Sequence, residues 1–215
     1  MAKRTAVILA VMFSWILLEL CGPAFATTPT GTTVTFFGNN QVQFAPVPAD
    51  LGDLDHSYAY TWGINYELPQ NTYVDFASIT FTQINNWQNE PNVLYVNLLD
   101  SAMYGVSSAY DGQASGNFFG STAGAQLLTQ YVDNDASAFE NFTYTFNAGQ
   151  LTALNAALAD ANFGIGFDPD CHYYNQGIKM DISTKVVPEP IGSLLFVIGT
   201  GVFGAAAARR RKTAR

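Results

Sequence analysis

Basic residues are nearly absent from the long middle of this chain. Between Thr27 and Val187 only Lys179 and Lys185 are basic, whereas fifteen residues are acidic, which leaves a formal charge of −13. A surface this acidic repels phosphate backbones and anionic lipid headgroups. The composition therefore argues against a nucleic-acid-binding protein, and it favours contact with cations.

Cysteine and histidine are also scarce, with two of each in the chain. Cys171 is the single cysteine after residue 26, so no disulfide can form within the segment that follows. Zinc held by Cys171 and His172 is disfavoured, because adjacent residues can hardly point at one ion and only His56 remains besides. A nucleophilic Cys171 meets the same difficulty, since His56 is the only other imidazole that could act as its base.

Common catalytic motifs are missing as well. The chain has no Gly-x-Ser-x-Gly elbow, no His-Glu-x-x-His helix and no phosphate-binding loop. A glycosidase needs only two carboxylates, and fifteen acids make some such pair inevitable. We therefore expect a binding or structural module rather than an enzyme, with an extracellular polysaccharide-active hydrolase as the alternative.

The first twenty-six residues have the pattern of a secretory signal peptide. Lys3 and Arg4 precede an apolar run over 5–18, and an Ala-x-Ala sequence that ends at Ala26 supplies the small residues that signal peptidase requires. Cleavage is expected between Ala26 and Thr27. An uncleaved signal anchor is the alternative.

The last twenty-nine residues combine three parts in order. Val187-Pro188-Glu189-Pro190 is followed by an uncharged stretch over 191–208 and by a basic cluster from Arg209 to Lys212. As a helix, the uncharged stretch would be roughly 27 Å long, just enough to cross a bilayer. The cations would hold the carboxyl terminus in the cytoplasm. The two prolines keep Glu189 on an extended, accessible backbone.

This tail, residues 187–215 and nothing before them, resembles the PEP-CTERM sorting signal. The resemblance implies that Pro188, Glu189 and Pro190 are recognised as substrate by exosortase, a multi-pass membrane enzyme with a cysteine-protease-like site. It also implies an exopolysaccharide-producing Gram-negative bacterium, an inner-membrane intermediate, and a final position at the cell surface or in the extracellular biofilm matrix. An ordinary single-pass tail anchor is the alternative.

Residues 27–186 have the pattern of one exported β domain. Apolar residues occupy every second position of one stretch, which marks a half-buried strand: Tyr58, Tyr60, Trp62, Ile64 and Tyr66. Similar alternation elsewhere gives seven or eight short strands, with one helix over Gln150–Ala159 capped by Asn147. We predict an antiparallel β-sandwich, jelly-roll-like rather than immunoglobulin-like, because the Cys and Trp landmarks of the latter are absent.

Several segments depart from this alternation. Its phase flips across Ala77-Ser78, which predicts a β-bulge or a strand that passes between sheets. The Gly-, Ser- and Ala-rich segment 100–124 is predicted to be a long loop, and 125–132 a short helix. The last strand is predicted to end near Thr184, which leaves 185–187 as a tether before the sorting motif.

Polar and reactive groups concentrate in residues 167–177, between two well-patterned strands. The segment is a structural turn, a catalytic loop or a calcium site, and the sequence leaves these three open. The candidate calcium ligands are Asp168, Asp170 and Asn175. Acidic loops at 50–55 and 133–135 offer similar oxygen atoms, although none has EF-hand spacing.

Aromatic residues in the predicted loops are candidates for ligand binding. Exposed rings stack on the apolar faces of sugars, and small jelly rolls are a common carbohydrate-binding scaffold, which is an analogy at the level of the fold. The candidates are Trp87, Tyr104, Tyr110, Tyr173 and Tyr174. The expected ligand is an exopolysaccharide.

Overall fold

The computed structural model describes residues 32–37, 40–47, 51–112 and 116–188. Within these ranges the strands are β1 (Thr32–Phe37), β2 (Gln41–Pro46), β3 (Asp53–Leu54), β4 (Tyr58–Asn65), β5 (Thr72–Asn86), β6 (Asn92–Leu99), β7 (Gly105–Tyr110), β8 (Gln126–Asp133), β9 (Glu140–Thr145), β10 (Asn162–Pro169), β11 (Tyr173–Tyr174) and β12 (Ile178–Val186). One α-helix, α1, comprises Ala148–Ala157, and short 3-10 turns comprise Phe118–Ser121 and Leu158–Asp160.

The strands form two antiparallel sheets. The first has the order β1-β2-β12-β5-β11-β3, and β9 also pairs with β5; the second has the order β7-β4-β10-β6-β8. The prediction of a mostly antiparallel, sandwich-like β domain with one short helix is therefore confirmed. The described residues contain more strands than predicted, because β3, β7, β8 and β11 lack the alternation that identified the others.

Alternate residues of both sheets meet in one apolar core. Phe81 of β5 contacts Phe167 of β10 edge to face, with ring centroids 5.8 Å apart, and Phe44 of β2 contacts Phe163 at 6.4 Å. Such perpendicular aromatic pairs add to the free energy gained by burial. The inward-facing rings thus join the first sheet to the second.

The helix has the predicted cap, Asn147, but it spans Ala148–Ala157, so it begins and ends two residues earlier than predicted. Asn147 accepts a hydrogen bond from the backbone N–H of Gln150 at 3.0 Å, and the Gln150 side chain accepts one from the Asn147 N–H at 2.9 Å. This capping box satisfies two backbone donors that the first turn leaves unpaired. Gln150 also donates to the carbonyl of Leu128 at 3.0 Å, which ties α1 to β8.

The segment between β6 and β8 is not the predicted loop. It contains strand β7 and a 3-10 turn, and the predicted short helix over 125–132 is wrong because β8 occupies that region. Val132 lies opposite Val93 in the ladder that β8 forms with central strand β6. Pairing with a neighbouring strand overrides the weak local preference of this sequence for a helix.

Glycines in β4 and β10 let the segment between β6 and β8 pack on the outer face of the second sheet. A Cβ atom at Gly63 would collide with the backbone oxygen of Met103, and one at Gly166 would lie 2.7 Å from the ring of Phe119. Phe119 is buried there, in a second small apolar cluster. The alternation of glycine with large residues in β4 and β10 therefore serves both faces of the sheet.

The bulge in β5 lies slightly earlier than predicted. Ser183 pairs with Phe76 but Thr184 pairs with Val74, so Asp75 is the extra residue. Val74 and Ala77 are buried, whereas Phe76 is 42% exposed. β5 nevertheless stays in the first sheet along its whole length.

The last strand continues beyond the predicted end. β12 runs to Val186, and the N–H of Val187 donates to the carbonyl of Asn71 at 2.7 Å, so the predicted tether over 185–187 is wrong. Lys185 is held in the sheet by an ion pair with Asp75 at 2.7 Å. Pro188 directly follows the last backbone hydrogen bond.

Other predictions concern residues outside the described ranges: the signal peptide over 1–26 with its cleavage site at Ala26 and Thr27, the motif residues Glu189 and Pro190, the span over 191–208 and the basic tail. Among the described residues, no helix is both long and apolar enough to cross a bilayer.

We expect Gly63→Ala to lower the free energy of unfolding by about 3 kcal/mol, because the new Cβ would meet a backbone atom that cannot rotate away. Thermal unfolding followed by circular dichroism measures the change. Gly120→Ala is the matched control: its Cβ would lie 3.7 Å from the nearest atom, an ordinary contact, and should change stability by less than about 0.5 kcal/mol. Equal effects of the two substitutions would contradict the packing described here.

Candidate functional site

The two histidines of the chain lie side by side. Their ring centroids are 4.8 Å apart with the planes nearly perpendicular, and both side chains are half-buried. His56 follows β3 and His172 precedes β11, so the fold joins positions that are distant in the sequence. We call Asp53, Asp55, His56 and His172 the histidine cluster.

A short three-strand ladder positions His172. Tyr174 of β11 lies opposite Asp53 of β3 on one side and opposite Asn85 of β5 on the other. The N–H of Trp87 donates to the carbonyl of His172 at 3.2 Å, which continues this ladder by one bond. The backbone of His172, directly before β11, is thus fixed beside the ends of β3 and β5.

A tight turn positions His56. The N–H of Tyr58 donates to the carbonyl of Asp55 at 3.0 Å, and the N–H of Ser57 donates to the Asp55 carboxylate at 2.8 Å. An Asp that accepts from the residue two positions later is a common way to begin a turn. The Ser57 N–H lowers the pKa of Asp55, so this carboxylate stays ionised at neutral pH.

The two carboxylates flank the ring of His172. Nδ1 of His172 is 3.1 Å from Oδ1 of Asp53, and Nε2 is 3.8 Å from Oδ1 of Asp55. Because an ionised carboxylate can only accept hydrogen bonds, Nδ1 of His172 carries the hydrogen and donates a hydrogen bond to Asp53. Nε2 then faces the second carboxylate, at more than hydrogen-bond distance.

Three groups of the cluster could hold a metal ion. One ligand atom from each of Asp55, His56 and His172 lies within 4.8 Å of the other two. The sequence pattern did not predict that these groups would meet, because β3 and β11 are only two residues long and show no alternation. The sequence offered one indication, which was that both histidines stand in loops rich in aspartate.

Aromatic rings surround the cluster. Trp87 is 52% exposed with its ring centroid 5.4 Å from that of His172, and Tyr174 is 38% exposed and stacks on the same imidazole at 6.2 Å. Tyr110 is also exposed and packs on Tyr58 at 5.6 Å. Three of the five candidate aromatics therefore present rings to solvent.

The other two aromatic candidates lie elsewhere. Tyr173 is 0% exposed and packs in the core against Tyr131, with ring centroids 5.9 Å apart. Tyr104 is half-buried, and its hydroxyl accepts a hydrogen bond from the N–H of Thr32 at 2.8 Å. Neither ring adds to the exposed aromatic surface beside His172.

The three candidate calcium ligands are engaged in separate local bonds. Asp168 accepts from the N–H of Phe118 at 2.6 Å, and Asp170 accepts from the N–H of Val93 at 2.5 Å. The Asn175 side chain accepts from the N–H of Gly177 at 3.0 Å, within a turn that follows β11. Calcium binding by these residues stays a prediction.

Asp168 is only 2% exposed, on the outer face of the second sheet beneath the segment that carries Phe118. Burial raises its pKa to about 6, assisted by a hydrogen bond with the Asp111 carboxyl and by the charge of Asp170, and opposed by the Phe118 N–H. Carboxyls in hydrogen-bond contact are closer than the separation of about 5 Å that glycosidases require.

Cys171 is buried in the core, and burial raises the pKa of its thiol. A thiol becomes reactive when its pKa is lowered by a nearby cation or helix terminus, which is the opposite environment. Cys171 and His172 therefore face opposite sides of the chain, as expected for neighbours in an extended segment.

Comparisons of the chain with protein-family models, with curated proteins and with solved structures found no match.

The raised pKa of Asp168 predicts that the stability of the fold depends on pH. Its carboxyl protonates near pH 6 in the folded state and near 3.8 in the unfolded state, so the folded state binds more protons between these values. Stability should therefore fall as pH rises through this window, by roughly 2 kcal/mol. Asp168→Asn should remove this slope from the thermal unfolding measured between pH 4 and 7.

The exposed carboxylate Glu67 provides the control, because Glu67→Gln should keep the slope of the unchanged protein. If Asp168→Asn has the same pH profile as the unchanged protein, Asp168 does not titrate in this way.

Proposed function

We propose that this chain is exported, sorted by exosortase to the surface or exopolysaccharide matrix of a Gram-negative bacterium, and binds a glycan there through its β domain. The observation that carries the glycan part is the exposed ring of Trp87 against His172, whose imidazole also stacks on Tyr174. A large exposed aromatic side chain in a group of polar residues is a typical contact for a ligand.

The chemistry of this surface suits a sugar. The faces of Trp87 and Tyr174 are apolar and flat, as stacking on a pyranose ring requires. The carboxylates of Asp53 and Asp55 can accept hydrogen bonds from sugar hydroxyls at the same place. Because the domain is strongly acidic, it would repel an anionic polymer. We therefore propose an uncharged polysaccharide as the ligand class.

The arrangement of the strands agrees with this proposal. Two antiparallel sheets around one core are compatible with a jelly-roll-like sandwich, the connectivity that we propose. Small jelly rolls commonly bind carbohydrates, which is support by analogy with the fold.

Export and sorting rest on the two ends of the sequence. The signal-peptide pattern over 1–26 predicts translocation, and the motif, apolar span and basic cluster of 187–215 predict capture by exosortase. One structural feature supports access to the motif. Pro188 directly follows the bond between Val187 and Asn71, and it lacks the N–H that would extend the strand ladder.

We expect Trp87→Ala in the full-length chain to weaken binding to an uncharged polysaccharide about tenfold, because the largest stacking surface is lost. Affinity electrophoresis or calorimetry measures the change. Phe36→Ala is the matched control, since Phe36 is 70% exposed on β1 at the opposite edge of the first sheet, and it should bind as the unchanged protein does.

The glycan proposal is contradicted if the unchanged protein binds no uncharged polysaccharide, or if Trp87→Ala and Phe36→Ala lose affinity equally. If the polysaccharide is instead cleaved, and cleavage stops when a pair of carboxylates is removed, the hydrolase is the correct function.

Replacing Pro188, Glu189 and Pro190 together by alanine should leave thermal unfolding unchanged, since the three lie beyond β12. The same change should trap the full-length protein as an unprocessed membrane species, because exosortase loses its recognition sequence. Immunoblots of membrane and released fractions measure this. Ser193→Ala, just outside the motif, should be processed normally. If the triple variant is processed and released like the unchanged protein, the tail is only an anchor.

A further inference from the structure

The geometry points to a binding site for a divalent first-row transition metal such as zinc, with Asp55, His56 and His172 as ligands and Asp53 as the group that orients His172. This inference shares Asp53 and Asp55 with the proposed glycan surface but does not require a glycan, because it rests on the geometry and charge of the histidine cluster.

The ligand set identifies the class of metal. Two imidazoles and one carboxylate are the ligands of many zinc and iron sites, whereas calcium and magnesium prefer oxygen atoms throughout. The three ligand atoms lie within 4.8 Å of one another. Around zinc they would be about 3.3 Å apart, given metal–ligand bonds of about 2 Å in a tetrahedral site. Metal binding would therefore require the three half-exposed side chains to move closer together.

Asp53 gives independent evidence. It accepts from Nδ1 of His172 at 3.1 Å, and this bond turns Nε2 toward Asp55, 3.8 Å away. Metal-binding histidines commonly donate their other N–H to a carboxylate, which fixes the tautomer and makes the ligand nitrogen more basic. Asp53 is therefore a positioning residue, and His172 is already oriented as a ligand.

The local charge also favours a cation. Asp53 and Asp55 place two carboxylates within 4 Å of one imidazole. In the part of the chain that the structure describes, both lysines pair elsewhere, Lys185 with Asp75 at 2.7 Å and Lys179 with Asp181 at 3.8 Å. A bound dication would balance the two carboxylates without requiring either histidine to be protonated.

Three protein ligands leave at least one coordination position open. The cluster is half-exposed, and Trp87 and Tyr174 flank it, so this position would be open to water or to a polar group of a bound molecule. Cys171 cannot supply a fourth ligand, because its side chain is buried in the core on the other side of the backbone.

The test uses the full-length chain, purified without a polyhistidine tag, stripped of metal with a chelator and titrated with Zn²⁺ by calorimetry. We expect one saturable site per chain and a rise in melting temperature with Zn²⁺. Co²⁺ in the same site should give visible ligand-field absorption without a thiolate charge-transfer band. Cu²⁺ in the same site should show imidazole nitrogen couplings by electron paramagnetic resonance, and because the chain has no histidines besides His56 and His172, these couplings would assign the site.

Variants separate the roles. His56→Ala and His172→Ala should weaken Zn²⁺ binding at least a hundredfold, and Asp53→Ala about ten- to a hundredfold, as loss of an orienting carboxylate usually does. Asp55→Asn removes the charge of a ligand but keeps an oxygen for the Ser57 N–H, so it tests the site with the turn intact. Cys171→Ser is the neighbouring control and should bind Zn²⁺ as the unchanged protein does.

Thermal unfolding of each metal-free variant shows which of them fold. The inference is overturned if the unchanged protein shows no saturable binding of Zn²⁺ or Co²⁺. It is also overturned if Asp55→Asn and a folded histidine variant both bind as tightly as the unchanged protein, or if a folded Cys171→Ser variant no longer binds.

Discussion

The ladder of β3, β11 and the end of β5 is the interaction on which the candidate site depends. Its register makes successive residues alternate between core and solvent: Cys171 and Tyr173 are buried, whereas His172 and Tyr174 stack on the outside. The buried tyrosine fixes the ladder to the core by its contact with Tyr131. Without that anchor, a two-residue strand would have too few hydrogen bonds to hold His172 beside Asp53.

Local patterns in the sequence predicted the parts of the fold that local physics determines. The sequence predicted the alternation of β4 and β10 and the Asn147 cap of α1, because each depends on residues that are close in the sequence. β8 and the histidine cluster were not, since their structure comes from partners far along the chain. The neighbours Cys171 and His172 were correctly expected to face apart, yet the aspartate content of the two loops was the only local indication that His56 would meet His172.

The shortage of basic residues determines where charge is balanced on the first sheet. Lys185 and Lys179 lie on the same strand, β12, where they pair with Asp75 and Asp181. Within the described ranges, no lysine or arginine is therefore left to neutralise the aspartates at the β3 edge, which lie beside His172. Repulsion among uncompensated carboxylates opposes folding. A cation bound at this edge would reduce the repulsion among these carboxylates.

The two ends of β5 relate the candidate site to the tail. Thr72, at the start of β5, pairs with Val186 at the end of β12, whereas Asn86, at the other end, pairs with Tyr173 of β11. β5 has fifteen residues and spans at most about 46 Å at about 3.3 Å per residue, less where its register shifts shorten it. The chain thus leaves the domain at one end of its longest strand, and the histidine cluster lies at the opposite end. If residues 191–208 cross the inner membrane as proposed, the domain joins that span through the end of β5 opposite Trp87 and the histidine cluster.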